Sequence, residues 1–381
     1  MVCVLITGAT GAIGGALVPL FLRDADTQVR LILRAKHGAH LRERLNGLFT
    51  YWNDPTLRLS EDRVEAFCGD VDQPRLGLTP DEYDRLSREV THVVHSAGVV
   101  KLNQSIEDAR RSAVTAAENV VAFTRACQQH GRFHKLEFVS TVGVAGRTPG
   151  LVREEPMTHP RGFHNTYEQA KSEAETFLFG EMGHGLPATI HRPSMVVGDA
   201  QTGKIAHFQV FYYLVEFLSG RNTCGFVPTT GGVRLDIVPA DYVAAVIHRS
   251  SQRADAAGRI FHLCSGPAES LRIADLIVEL RRLYQEQGVR LPSLRRVGAG
   301  VVRRGLPLVR RLVPPKTRRM LDTLPYFLDY LAEDQVFDDA ATRSFFAPDG
   351  LRVPPVREYL PRLLRYYWTT KYPPQVASRT R

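Results

Sequence analysis

The segment VLITGATGAIGG, residues 4–15, limits what this chain can fold into more than any other part of it. Glycines stand at 8, 11 and 14, directly after an apolar strand-like run (Val2–Thr7) and directly before a helical apolar pattern (Gly14–Arg23). At this spacing the first glycine permits a tight turn and the second lets a phosphate approach the backbone. The third lets helix and strand pack closely. Unpaired amides and the positive dipole end of the helix then attract an anion. The spacing alone is weak evidence; its place at the first strand of an alternating α/β pattern gives it weight. The turn is expected to hold a pyrophosphate, with Thr10, Ala12 and Ile13 completing the loop around Gly8, Gly11 and Gly14.

Further strand-sized apolar runs lie at Val29–Leu33, Val64–Cys68, His92–Ser96, Leu136–Ser140 and Ala188–Arg192. Between them run amphipathic stretches at Ala39–Trp52, Ile106–His130 and around Tyr167–Met182. Alternation of this kind predicts an α/β fold, a Rossmann-type doubly wound parallel sheet with helices on both faces. After Gly198 the alternation weakens. Ala206–Ser219 reads as an aromatic helix, Leu235–Ile247 as a strand entering a helix, Ile260–Cys264 as a strand and Leu271–Gln287 as an amphipathic helix. Prolines at 307, 314, 315, 325, 348, 354, 355 and 361 predict short helices beyond Pro292. The expected division is a dinucleotide-binding domain over 1–200, to which 235–265 returns, and a smaller, mostly helical substrate-binding or lid region over 201–381.

The chain has no run of eighteen apolar residues, and its first residues enter a strand rather than a basic, cleavable leader. A cytoplasmic protein is expected. Cysteines at 3, 68, 127, 224 and 264 are scattered and never paired as Cys-x-x-Cys, which predicts free, mostly buried thiols and no metal site. The net charge of +9 is concentrated: residues 293–319 hold nine basic side chains and no acidic one, including the pairs 295–296, 303–304, 310–311 and 318–319. Such a patch suits CoA phosphates, an acidic carrier protein or peripheral contact with an anionic membrane, and a plain solvated face fits it equally well. Nucleic acid is not expected, because no helix-turn-helix, zinc or RNA-binding signature accompanies the arginines.

The second strand ends in Arg34, with Lys36, Arg42 and Arg44 following and no acidic residue between Asp26 and Glu43. An acidic residue there would bind a ribose hydroxyl, whereas arginine accommodates a 2′-phosphate. Arg34 and Arg44 therefore point to NADP. Carbonyl reduction beside a nicotinamide needs a proton donor and a cation that keeps the donor's pKa within reach. Tyr167-Glu-Gln-Ala-Lys171 puts both on one helix face. A second Tyr-x-x-x-Lys occurs at Tyr367 and Lys371, but only the first follows a strand ending in the hydroxyls Ser140-Thr141.

The set TGATGAIGG, His95-Ser-Ala-Gly98, FVSTVGVAG (138–146), Tyr167-x-x-x-Lys171 and HRPSMVVGD (191–199) resembles the extended short-chain dehydrogenase/reductases. RERLNGLFTYW (42–52), GDVDQPRLGL (69–78) and the aspartate–proline stretch at 236–241 look like the acyl-thioester reductase branch, which includes fatty acyl-CoA reductases and the terminal reductase domains of carboxylic acid reductases and peptide synthetases. The resemblance implies Tyr167 as general acid, Lys171 as its partner and ribose ligand, and Thr141 as the hydroxyl that orients substrate. It places Asp70 and Val71 beside the adenine, Ser96, Ala97 and Gly98 along the cofactor, and Pro193, Ser194 and Met195 near the nicotinamide. The helix after His95 departs from the family pattern, with Ala113 and Ala116-Ala117 where Asn and Gly-Thr are usual and Asn119 close by.

The implied reaction is NADPH-dependent reduction of an acyl thioester, bound to CoA or a carrier protein, to an aldehyde and with a second hydride to an alcohol. Phe208, Phe211, Tyr212, Val215 and Phe217 form a candidate wall for an acyl chain, although their spacing fits an ordinary helix–core contact better. A nucleotide-sugar epimerase or dehydratase, or a hydroxysteroid dehydrogenase, would use the same Tyr, Lys and Thr. A regulatory NADP sensor would keep the glycines without needing the Tyr–Lys pair.

Overall fold

The computed structural model describes residues 2–223, 225–229, 232–298 and 335–372. Seven strands form one sheet: β1 (Val2–Thr7), β2 (Thr27–Leu33), β3 (Val64–Cys68), β4 (His92–His95), β5 (Lys135–Val139), β6 (Ala188–Pro193) and β7 (Ile260–Leu263). Their order is β3-β2-β1-β4-β5-β6-β7, and every neighbouring pair is parallel. The strands are buried on both faces, which is why they read as unbroken apolar runs rather than as alternation. The order reverses beside β1, where consecutive crossovers leave on opposite faces and open a crevice at the strand ends.

One face is covered by α1 (Ala12–Arg23), α2 (Gly38–Trp52) and, later in the chain, Ala240–Ser251; Leu17, Val18, Phe21, Phe49, Val243 and Ile247 meet the sheet there. The other face carries α3 (Ala116–Gln129) and α4 (Thr166–Gly183), which contribute Val120, Phe123, Ala170, Ala174 and Leu178. The expected helix Ile106–His130 is not uniform. Residues Arg111–Thr115 adopt a π turn between Ile106–Arg110 and α3. Such insertions are frequent at functional sites, and Ala113 within this one reaches the cleft described below.

A third core joins α5 (Val210–Leu218), α6 (Ile273–Glu286) and α7 (Val356–Lys371). Phe211, Tyr212, Val215 and Phe217 are buried in it, so the candidate acyl wall is an internal helix contact. Phe208 packs edge-on against Tyr367 at 4.8 Å. The expectation of short helices beyond Pro292 also fails: α7 spans 16 residues with Pro361 inside it. An interior proline costs a helix about 3 kcal/mol. Burying Tyr359, Leu360, Leu363, Leu364, Tyr367 and Trp368 on one face outweighs that, at roughly 1.5–3 kcal/mol per large apolar side chain. Tyr367 and Lys371 both engage Glu216, at 3.0 and 2.8 Å, which makes this second Tyr-x-x-x-Lys a packing feature.

Short strand pairs tie the later chain to the sheet's carboxyl edge: Met195–Val197 with Ile237–Pro239, Gly150–Val152 with Gln335–Phe337, and Arg234–Leu235 with Leu271–Arg272. Arg295 and Arg296 lie in a strand beside Phe226–Pro228; the arginine pairs at 303–304, 310–311 and 318–319 fall outside the described residues. Cys3, Cys127 and Cys264 are buried free thiols and Cys68 is an exposed one; Cys224 is outside the described residues. No helix among the described residues is long and apolar enough to cross a membrane.

Beneath the crevice, Arg192 on β6 is wholly buried and its Nε donates to both oxygens of Glu175 on α4 at 3.1 Å. Its Nη1 donates to the Glu155 carbonyl at 3.0 Å. Removing one partner of such a pair strands a buried charge. Arg192→Leu is expected to cost about 3–5 kcal/mol of stability in urea unfolding, and Arg192→Leu with Glu175→Leu much less than that.

Candidate active site

Gly8 follows β1 with φ +78°, and a Cβ there would lie 2.5 Å from the Ala97 amide nitrogen. A Cβ on Gly14 would lie 2.3 Å from the Gly8 carbonyl oxygen, so turn and helix touch with nothing between them. At Gly11 a Cβ would meet only the Gly8 oxygen, at 3.2 Å, and otherwise project into open space. Gly11 caps α1 without any side-chain hydrogen bond to the first turn, which also lacks an acidic residue. The free amides, the dipole and the absence of a competing carboxylate suit a pyrophosphate. Arg44 leans across the turn, donating to Thr10 Oγ1 at 3.1 Å and to the Arg34 carbonyl. Arg34 itself is exposed at the end of β2.

Across the strand reversal, Thr7 fixes the loop after β4. Ser96 Oγ donates to the Thr7 carbonyl at 2.7 Å, the Ala97 amide donates to Thr7 Oγ1 at 3.3 Å, and His95 Nδ1 lies 2.9 Å from that hydroxyl. Burial pulls the His95 imidazole down to about 3, helped by the neighbouring Lys171 ammonium, and keeps it neutral. Asp70 accepts from the Asp72 amide at 3.1 Å, and the Val71 carbonyl accepts from Asn119 at 2.9 Å. Asn119 thus serves the loop after β3, and Ala113, where the family pattern has Asn, presents only a methyl group to the cleft.

Tyr167 sits in the first turn of α4, whose cap Asn165 accepts from the Glu168 amide at 3.0 Å. Lys171 lies one turn on. A capped helix start holds the tyrosine in place, a contribution of about 1 kcal/mol. Thr141 follows β5 in extended backbone, and its Oγ1 accepts from the Gly143 amide at 3.1 Å. Burial pushes the Tyr167 phenol up to about 12, partly offset by its hydrogen bond to Thr141. Burial lowers Lys171 to about 8, with Glu175 acting in the opposite sense. The Lys171 ammonium donates to the Val139 carbonyl at 2.8 Å and lies 5.1 Å from the Phe138 ring centre. It is anchored to the sheet rather than to the tyrosine.

These groups line one cavity of about 310 Å³, within the range of small-molecule sites. It brings together Gly11, Ala12, Ile13, Ser96, Ala97, Gly98, Thr141, Tyr167, Lys171, Pro193, Ser194 and Met195 of the residues singled out in the sequence. Gly8 and Gly14 support it from behind. Thr10, Arg34, Arg44, Asp70 and Val71 lie beyond its wall, toward the ends of β2 and β3. Ser140 Oγ is buried with no hydrogen-bond partner among the described residues and its residue lines the cavity, whereas the Ser194 hydroxyl, also at the cavity, pairs with the Asp236 carboxyl. Such an orphaned hydroxyl is costly unless a ligand completes it. The cradle, the uncapped helix and the orphaned Ser140 hydroxyl fit a nicotinamide dinucleotide.

Sequence reasoning missed the outer end of the cavity. Arg234, Asp236, Ser270 and Gln335–Phe337 reach it through the short strand pairs, which no local pattern announces. Burial raises the Asp236 carboxyl to about 7, although the Ser265 and Gly266 amides donate to it at 2.8 and 3.1 Å.

Comparison with known proteins agrees with this construction. The family described as Male sterility protein, a group of NAD-binding domains, matches residues 6–247. An aldehyde reductase of Aspergillus flavus is 28% identical over 95% of this chain, and a glycine betaine reductase of Emericella nidulans is 27% identical over 74% of it. The chain spans 36% of the first relative and 22% of the second. Among solved structures, the terminal R domain of the myxalamid PKS-NRPS pathway superposes with a TM-score of 0.81 at 24% identity, covering 97% of this chain and 91% of that one. A thiolation-reductase di-domain from an archaeal non-ribosomal peptide synthetase gives 0.76 at 19% identity, covering 97% and 76%. The chain belongs to the Male sterility protein family of the extended short-chain dehydrogenase/reductases.

Proposed function

We propose that the protein is an NADPH-dependent reductase that releases an acyl group from a thioester as an aldehyde. The observation that carries this reading is the Thr141–Tyr167 hydroxyl pair, backed by Lys171 and opening into the cavity that begins at the uncapped start of α1. The names of its relatives point the same way: an aldehyde reductase, and a reductase domain attached to a thiolation domain. The partners proposed are acyl-CoA or an acyl group on a carrier protein.

Ser96–Gly98 and Pro193–Met195 would hold the nicotinamide, which when bound would supply hydride for the carbonyl carbon. The chain's own groups manage the oxygen. Thr141 and Tyr167 donate hydrogen bonds to the carbonyl oxygen, polarising it and favouring the oxyanion. Tyr167 then gives its proton to that oxygen. Because burial holds the phenol protonated, this transfer needs the Lys171 ammonium to steady the phenolate left behind. The resulting hemithioacetal collapses as its hydroxyl proton returns to Tyr167 and the C–S bond breaks. Thiolate leaves, takes a proton from water, and the aldehyde remains.

Preference for the 2′-phosphorylated cofactor is assigned to Arg34 and Arg44. Arg44 is already held over the turn by Thr10, which reduces the ordering cost of contact with a phosphate. Among nucleotide sugars, sterols and thioesters offered with NADPH, thioesters should drive cofactor oxidation. Tyr167→Phe should lower that rate by roughly 10²–10⁴-fold while cofactor binding persists. Absence of thioester-dependent oxidation in the wild type would sink the reading; full activity in Tyr167→Phe would sink the assigned acid. Arg34→Ala with Arg44→Ala should reduce the kcat/KM preference for NADPH over NADH by at least about tenfold, the size of one lost charge-assisted hydrogen bond. An unchanged ratio refutes that assignment.

A further inference from the structure

Arg234 stands at the cavity wall, and a second arginine, Arg272, lies opposite it on the neighbouring strand. Arg234–Leu235 and Leu271–Arg272 form an antiparallel pair in which Arg234 lies opposite Arg272 and Leu235 opposite Leu271. Opposed residues of such a pair project from the same face. The leucines are buried at 7% and 5% exposure, and both arginines are exposed on the other side. Like charges placed directly opposite one another destabilise a strand pair. An anion held between them would remove that cost.

Among the described residues no carboxylate stands in for such an anion. Arg234 Nη1 donates to the Ser270 carbonyl at 2.9 Å and to Ser270 Oγ at 3.4 Å. This holds the guanidinium at the cavity wall and leaves Nε and Nη2 for another acceptor. The carboxylates nearest in the chain are Asp236, Glu269 and Asp275. Asp236 is turned to the Ser265 and Gly266 amides, and among the described residues neither arginine forms an ion pair. The planar fork of arginine matches phosphate oxygens two at a time.

We propose that Arg234 and Arg272 form an anion subsite that receives the phosphate of a phosphopantetheine arm, the group through which both CoA and carrier proteins present an acyl thioester. The proposal rests on the thioester reading above. It orders the substrate along the cavity, with the thioester carbonyl at Thr141 and Tyr167 and the phosphate at the rim. The apolar residues Val99, Val100 and Leu102 line the space in which the rest of the substrate lies. One subsite serves both carriers, because they share that phosphate.

The test compares a phosphopantetheine thioester with the matching pantetheine thioester, which lacks only the phosphate. In wild type the ratio of their kcat/KM values should favour the phosphorylated form by roughly ten- to a hundredfold, and in Arg234→Gln/Arg272→Gln it should collapse toward about one. A ratio that stays at its wild-type value in the double variant overturns the subsite. If the wild type reduces neither compound, the thioester reading fails by itself, and the subsite is judged by equilibrium binding of free phosphopantetheine. That binding should weaken by a similar factor in the double variant; unchanged binding overturns it. Acyl-CoA and acyl-carrier protein form two further arms. Equal losses in both support the shared phosphate, whereas a loss confined to one assigns the arginines to groups outside the arm and overturns the proposal.

Discussion

The close contact between Gly14 and the Gly8 carbonyl is the constraint on which the rest of the structure depends. It lets α1 begin immediately at the end of β1, with no side chain between helix and strand and none capping the helix. The same turn presses Gly8 against the Ala97 amide, fixing the β1 and β4 ends at a set spacing. Thr7 reinforces that spacing from the strand side through Ser96 and Ala97. A larger residue at either glycine would separate the two strand ends, and the anion cradle and cofactor wall would part together.

The groups proposed as catalytic are added to this frame by burial and by anchoring charge. Lys171 is one of several buried cations, and each is held by carbonyls or a carboxylate. Lys171 is held by Val139, Arg192 by Glu175 and Glu155, and Lys135 by Glu137 and the carbonyls of Ser250 and Arg253. Taking such groups out of water costs several kcal/mol per ion unless the pairing is complete. This anchoring restricts movement: the hydrogen bond to the Val139 carbonyl holds the Lys171 ammonium at the sheet, one helical turn from Tyr167. One hydroxyl in the same region, on Ser140, is left incomplete on the cavity side among the described residues, where a ligand can satisfy it.

What can be read from the sequence is what short-range physics writes into it. The glycine turn, six of the seven sheet strands and the Tyr167–Lys171 spacing each lie within a few residues, and β7 is visible as a strand though not as a neighbour of β6. The aromatic run around Phe211 is ambiguous by itself, because a helical apolar stripe looks the same whether it faces a core or a cavity, and the helix–core contact that its spacing favours is the one found. Pro361 misleads because its local cost is offset by tertiary burial of α7. The π turn at Arg111–Thr115, the return of Gln335–Phe337 to Gly150–Val152 and the opposition of Arg234 to Arg272 are non-local or conformational, and no composition or period encodes them.

The central claim is that hydride passes from a nicotinamide to a thioester carbonyl held by Thr141 and Tyr167. Its most direct test supplies NADPH deuterated at the transferable position together with an acyl thioester, and follows the products by mass spectrometry. The account predicts an aldehyde with one deuterium on its carbonyl carbon, released with an equivalent of free thiol. Cofactor oxidation without deuterium at that carbon, or thiol release without cofactor oxidation, would contradict it.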